Sequence, residues 1–209
     1  MKKLAKDTIE AALKPYGILA SASLCDQMAT YIDLLLRWNK KTSLTTVTDP
    51  DEILRFHFGE SLIAAATVPI RNGRLADVGS GAGFPAVPIR MVSEHLSIIL
   101  IESNQKKATF LAEVARELCL KDVEVRRCRM TDVRLNDENV NLVTARALGV
   151  DEAFLSWSRN ALDPHGSVVL WLGDADARRI SLNADWKWSD PIRIPQTDRR
   201  VILHGQKSS

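Results

Sequence analysis

Three glycines at alternate positions, Gly79, Gly81 and Gly83, lie in the stretch LADVGSGAGFPAVPIR, behind a short apolar run and ahead of residues that can wind into a helix. Glycines so placed supply positive φ, or clear side chains so that a ligand can approach the backbone. A bare strand-to-helix turn would use the same residues, so the neighbouring carboxylates have to separate the two readings. Asp77 ends the apolar run, an awkward group beside a phosphate and a suitable one beside a cation. The next run, SIILIES, ends near Glu102, 19 residues past Gly83, where a carboxylate can accept both hydroxyls of a ribose. The spacing is GxGxG followed by Phe84 and Pro85, not the GxGxxG of a dinucleotide site, and the Lys-Ser/Thr of a P-loop is missing. A phosphate-free cofactor with an adenosine, a sulfonium and an amino-acid tail suits this set, and that cofactor is S-adenosylmethionine.

These groups need a scaffold that brings strand ends together. RLADV, SIILIES at 97–103, VEVRRCR at 123–129, VNLVTARA at 140–147 and GSVVLWL at 166–172 read as strands. Helical segments lie between them: from about Pro85, over 105–119, over DEAFLSWSRNAL and near DADARRISL. Near-continuous apolar strands alternating with helices predict an α/β fold with a parallel sheet covered on both faces. The text at 191–195 and 201–207 leaves no room for a crossover helix, which predicts an antiparallel hairpin at the sheet edge. Ahead of Pro69 the chain reads as helical. Ser23 with Asp26 resembles a capping box opening a helix with Leu24, Met28, Ile32, Leu35 and Trp38 on one stripe. Asp49 and Pro50 open a second helix. The expected division is a helical region over 1–67 and a Rossmann-like domain over 68–209.

At 209 residues, 45% hydrophobic and 26% charged, the chain has the composition of an ordinary globular protein, with no apolar run long enough to span a membrane. Asp7 and Glu10 interrupt what would be the core of a signal peptide, which points to the cytoplasm. Cys25, Cys119 and Cys128 form no CxxC pair, so neither a zinc site nor a disulfide framework is expected. A net charge of +2 says little about partners, but the basic residues are grouped: Lys2, Lys3 and Lys6; Arg37, Lys40 and Lys41; Arg126, Arg127 and Arg129; Arg178 and Arg179; Arg199 and Arg200. Such groups act on nucleic acid when the fold gathers them at one rim.

WNKKTSLTTVTDPDEILRFHFGESL, DVGSGAGFPAVPIR, IESNQKKATFL and TARAL, in this order and spacing, resemble the bacterial ribosomal RNA small subunit methyltransferase G family, also called glucose-inhibited division protein B. The likeness spans nearly the whole chain. It implies a class I S-adenosylmethionine-dependent methyltransferase, Rossmann-like, with a mostly parallel seven-stranded sheet and an antiparallel edge hairpin after a small helical N-terminal region. It implies methyl transfer to N7 of a guanine in 16S rRNA of the small ribosomal subunit, with cofactor contacts at Gly79, Phe84, Met130, Thr131 and Arg146. With the residue reading above, the expected cofactor set is Asp77, Gly79, Gly81, Gly83, Phe84, Glu102, Met130, Thr131 and Arg146. The expected RNA side is Asn39, Lys40, Lys41, His57, Arg126 and Arg127, in a monomer that needs neither metal nor membrane. The family pattern has Asn at Ser43, Asp at Glu60 and Lys-Gly at Leu172-Gly173. The last departure removes an ammonium that leucine cannot replace.

TARALGV follows the fourth strand where methyltransferases acting on exocyclic amines carry Asn/Asp-Pro-Pro-aromatic, and no Pro-Cys nucleophile is present. Guanine N7 holds a lone pair and no proton, so attack on a sulfonium methyl needs positioning and electrostatics and no general base. Arg146 is the expected catalytic residue, orienting cofactor and base, and its loss is expected to slow chemistry with folding intact. Two other readings stay open. One is a nicotinamide-dependent oxidoreductase, which the GxGxG spacing and Asp77 disfavour. The other is a cofactor- or RNA-binding protein of the same fold without turnover, which Leu172 motivates.

Overall fold

The computed structural model describes residues 4–68, 70 and 73–208; Lys2, Lys3 and the boundary residue Pro69 lie outside them. The helical part comprises α1 (Lys6–Leu13), α2 (Ala22–Asn39), α3 (Pro50–Ile53), a π-helical turn over Leu54–Gly59, and α4 (Glu60–Thr67). The α/β part follows as β1 (Gly73–Val78), α5 (Ala86–Val92), β2 (Leu96–Ile101), α6 (Gln105–Glu117), β3 (Val123–Arg126), β4 (Val140–Arg146), α7 (Glu152–Ala161), β5 (Leu162–Gly173) and α8 (Asp174–Ile180). Three antiparallel strands complete it: β6 (Trp186–Trp188), β7 (Ile192–Arg193) and β8 (Arg200–Lys207).

The helix expected to start at Ser23 starts two residues earlier. Ser21 is extended, and its hydroxyl accepts from the Leu24 amide at 3.2 Å, so Ser21 is the cap and Ser23 lies inside the first turn. Asp49, Asn104 and Asp151 cap α3, α6 and α7 in the same way.

The strands run β3-β2-β1-β4-β5-β8-β6, with β7 also paired to β8. Strands β1 to β5 are parallel, and β8 is antiparallel to β5, β6 and β7. Among the described residues the sheet has eight strands, not seven. The pairing of Ile192 with Ile202 is the expected hairpin, but β8 sits inside the sheet because the unforeseen β6 also pairs with it. The order reverses between β1 and β4, so the glycine turn after β1 opens at the switch point where α/β sheets bind ligands.

Side chains alternate between two apolar layers, as strands covered on both faces require. Leu75, Ile98, Leu100, Leu142 and Val169 pack with the N-terminal helices, α5 and α6; Ala76, Ile99, Ile101, Val143 and Val168 pack with α7 and α8. The first layer also holds Ile9, Leu13, Met28, Ile32 and Leu35, so the helical region and the sheet share one continuous core. Leu172 belongs to the second layer and is buried. In this chain that position packs into the core. Among the described residues no helix is long and apolar enough to cross a membrane.

Candidate active site

A cleft of about 500 Å³ lies where the glycine turn after β1 faces the loop between α2 and α3. Gly79, Ser80, Gly81 and Phe84 form one wall, Asn39 and Ser43 to Thr46 the other, and His57, Lys107 and Arg146 lie along it. The three glycines differ in task. Gly79 and Gly81 have positive φ, and a Cβ on either would meet nothing closer than 3.6 Å, so the cleft can admit a ligand against bare backbone. Gly83 also has positive φ, but a Cβ there would overlap the Tyr31 hydroxyl and Val87. It is a packing glycine, sealed by the Tyr31 hydroxyl donating to the Ala82 carbonyl at 2.5 Å. That bond ties α2 to the turn.

The two carboxylates differ in their surroundings. Asp77 is 1% exposed, is not among the residues lining the cleft, and one of its oxygens accepts from the Thr144 hydroxyl at 2.6 Å while the other has no partner among the described residues. Burial pushes its pKa up to about 7 against the lowering effect of the Thr144 bond. Asp77 braces the turn through Thr144. Glu102 accepts from the Gly81 amide at 2.9 Å and the Asn104 amide at 2.8 Å. A carboxylate has about four acceptor positions, so ribose hydroxyls can still be accepted.

Arg146, at the end of β4, meets the π-helical turn. Its Nη2 donates to the Phe56 carbonyl at 2.8 Å and to His57 Nδ1 at 3.0 Å, and lies 3.5 Å from Glu60 Oε2. A π-turn inserts one residue into the helical repeat and often marks a functional position; here it carries Phe56 and His57 to the guanidinium. Glu60, fully buried, also accepts from Arg200 at 2.7 Å. Burial raises the Glu60 pKa and lowers that of Arg146, while each partner opposes the other's shift. Arg146 Nη1 is buried and has no partner among the described residues, on a residue that lines the cleft. Arg146 is thus part of a buried polar cluster that ties β4 to the helical region, beside its expected role in the chemical step. His57 stacks on Phe84 with ring centroids 4.7 Å apart, and its Nε2 lies 2.8 Å from Thr45 Oγ1.

Of the expected RNA-side residues, Lys40, Lys41 and Arg127 are exposed. Asn39 lines the cleft but uses its amide on the loop, donating to the Thr45 carbonyl and accepting from the Leu44 and Thr45 amides. Arg126 is a correction. Its guanidinium is shared between Glu124 and Glu138, at 2.6 to 3.0 Å, beside Arg74, and these carboxylates neutralise it. Met130 and Thr131 form a short turn after β3 and are not among the residues lining the cleft. Met130 packs against the second core layer and the Thr131 hydroxyl donates to Asp132. Sequence reasoning missed Tyr31, Thr45, Glu60, Lys107 and Arg200. Thr45, Glu60 and Lys107 stand inside the family-like stretches; Arg200 showed only as one of a basic pair, and Tyr31 had no local signal.

A mostly parallel sheet with a glycine turn at its switch point, an acid at the end of β2 and an antiparallel strand beside β5 defines the fold of S-adenosylmethionine-dependent methyltransferases. Solved structures share it. The chain superposes on a SAM-dependent methyltransferase from Aquifex aeolicus with a TM-score of 0.66 at 16% identity, covering 79% of this chain and 97% of that one. It also superposes on M. jannaschii TYW2, solved in complex with AdoMet, with a TM-score of 0.55 at 18% identity, covering 70% and 74%. The chain belongs to the rRNA small subunit methyltransferase G family, whose model matches residues 24–189. The ribosomal RNA small subunit methyltransferase G of Halorhodospira halophila is 35% identical over 166 residues, 79% of this chain and 78% of that protein. Its counterpart in Ectopseudomonas mendocina is 32% identical over 205 residues, 95% and 94%.

Proposed function

We propose that this chain is a cytoplasmic enzyme that transfers the methyl group of S-adenosylmethionine to N7 of a guanine in 16S rRNA. The observation that carries the reading is the cleft itself. It joins open glycine backbone at Gly79 and Gly81 to a buried arginine with an uncommitted Nη1, next to a neutral histidine.

The residues present fit the cofactor. Gly79 and Gly81 leave room for its body, Phe84 gives an apolar edge, and Glu102 keeps acceptor capacity for the ribose. Asp77 supports the turn beneath a cationic group. When bound, the cofactor supplies an electrophilic sulfonium methyl. Arg146 orients ligand and base through Nη1 while Nη2 holds the π-turn. His57 positions its neighbours and moves no proton, which matches a nucleophile that has no proton to lose.

On this reading the helical region, residues 1–67, forms the RNA-facing wall of a cleft whose floor is the 68–209 domain, and the protein works as a monomer. Lys40, Lys41, Lys107 and Arg127 contact phosphates. Mapping modified nucleosides in 16S rRNA with and without the active gene tests the substrate: one guanine must lose its N7 methyl group when the protein is absent. Calorimetry with S-adenosylmethionine and with NAD separates this reading from an oxidoreductase.

A further inference from the structure

The loop between α2 and α3 presents one hydroxyl whose hydrogen-bond direction is fixed from within the protein. We propose that Thr45 reads the C6 carbonyl oxygen of the target purine as a hydrogen-bond donor, and so selects guanine over adenine; this rests on the guanine reading above.

The argument starts at Arg146. A guanidinium has donors only, so the 3.0 Å contact of Arg146 Nη2 with His57 Nδ1 requires Nδ1 to accept. Burial and the Arg146 charge hold the His57 pKa down to about 3, and a neutral ring with an accepting Nδ1 carries its hydrogen on Nε2. That N–H donates to Thr45 Oγ1 at 2.8 Å. The Val47 amide donates to the same oxygen at 3.1 Å. Both lone pairs of the hydroxyl are then filled, and its own hydrogen has no partner among the described residues. Thr45 lines the cleft, so the free hydrogen is offered there.

The loop itself is fixed. Asn39 Oδ1 accepts from the Leu44 and Thr45 amides, and Asn39 Nδ2 donates to the Thr45 carbonyl. The result is a fixed loop that holds the Thr45 hydroxyl on the wall opposite the glycine turn. A donor-only group discriminates by chemistry. Guanine has an acceptor at C6 beside N7, whereas adenine has an amino group there. Donor faces acceptor in one case and donor in the other. Engaging O6 leaves the N7 lone pair free to attack. Sites that hydrogen-bond a substrate group reject analogues lacking it because their own polar group is left unpaired.

The test compares two substrates, small-subunit RNA carrying guanine or 2-aminopurine at the target position; the latter keeps N7 and lacks the C6 oxygen. Single-turnover rates are measured for wild type, Thr45→Val and Thr45→Ser, with S-adenosylmethionine affinity measured separately by calorimetry. Wild type is expected to favour guanine. Thr45→Val also removes the acceptor of His57 and of the Val47 amide, so both rates can fall, but the guanine rate should fall about tenfold more than the 2-aminopurine rate, with cofactor affinity unchanged. Thr45→Ser, which keeps the hydroxyl, should restore the preference. Equal loss on both substrates, an unchanged guanine rate, or weakened cofactor binding would each overturn the proposal, since a role confined to loop packing or cofactor contact moves both substrates together. A wild-type protein that methylates neither RNA rejects the guanine reading itself, and that control tells the two failures apart.

Discussion

Arg146 Nη2 donates to His57 Nδ1 at 3.0 Å across a sequence separation of 89 residues, and this bond fixes which nitrogen of the histidine accepts. The histidine must accept on Nδ1, and with its pKa at about 3 it remains neutral at any pH where the protein would work. The arginine is in turn held by Glu60 and the Phe56 carbonyl. A family motif at the end of β4 and another in the helical region are thus one polar unit.

Arg146→Ala should therefore have two effects. Losing one preorganised donor should reduce single-turnover methylation by about 10²-fold. Removing a buried partner of Glu60 should also cost about 3 kcal/mol of stability. Arg146→Lys keeps a charge near Glu60 but cannot bond Phe56 and His57 together, so it should lose rate with a smaller drop in melting temperature. Full activity in Arg146→Lys would show that alignment of His57 is dispensable.

The turn and helix α2 are coupled through Tyr31 and Gly83. Gly83→Ala places a Cβ on the Tyr31 hydroxyl and at φ +87, and should destabilise by about 2 to 5 kcal/mol from overpacking and left-handed strain combined. Tyr31→Phe leaves the Ala82 carbonyl without its donor and should cost about 1 to 3 kcal/mol. Urea unfolding measures both. Because Ala82 lines the cleft, Tyr31→Phe should also weaken S-adenosylmethionine binding in calorimetry.

Much of this was legible in sequence, and the failures have physical causes. The strands of the parallel sheet show as apolar runs because both faces are buried, and the glycine turn shows because φ and clearance restrict residue type. Strand β6 did not show: WKW is three residues long and alternates like many loops. Arg126 reads as a candidate RNA contact because its neutralising partner Glu138 lies 12 residues away and only the fold joins them. Glu60 and Arg200 are 140 residues apart, so their ion pair has no sequence signature at all. Asp77 stands at its strand end as expected, but chain order cannot say that one of its oxygens is taken by the Thr144 hydroxyl, 67 residues away.

RNA affinity should fall with salt, and the slope should shrink by about one unit for each phosphate contact removed. Lys40→Glu and Lys41→Glu are expected to reduce it in filter-binding titrations. Arg126→Gln should leave the slope unchanged and lower thermal stability instead, because its charge is spent on Glu124 and Glu138. An equal effect of Arg126→Gln on the slope would return that residue to the RNA surface.

Asp77 gives a pH dependence whose sign is fixed by its raised pKa. The folded protein holds the proton up to about pH 7, whereas the unfolded chain releases it near the ordinary aspartate value of 3.8. Between those limits the native state binds more protons than the unfolded state, so this group's contribution to stability is full below about pH 4. It is lost as pH rises to about 7, at up to roughly 1.4 kcal/mol per pH unit. Asp77→Asn cannot ionise, and its amide can keep an oxygen toward Thr144. The stability difference, variant minus wild type, should therefore rise from pH 4 to pH 7 and level off above it, as read from urea midpoints at each pH. A difference that does not change with pH would mean that Asp77 is ionised in the folded protein, held by more than the Thr144 hydroxyl. A cationic ligand above the turn favours the carboxylate, so S-adenosylmethionine should bind more tightly to wild type as pH rises through 7, and the rise should be absent in Asp77→Asn.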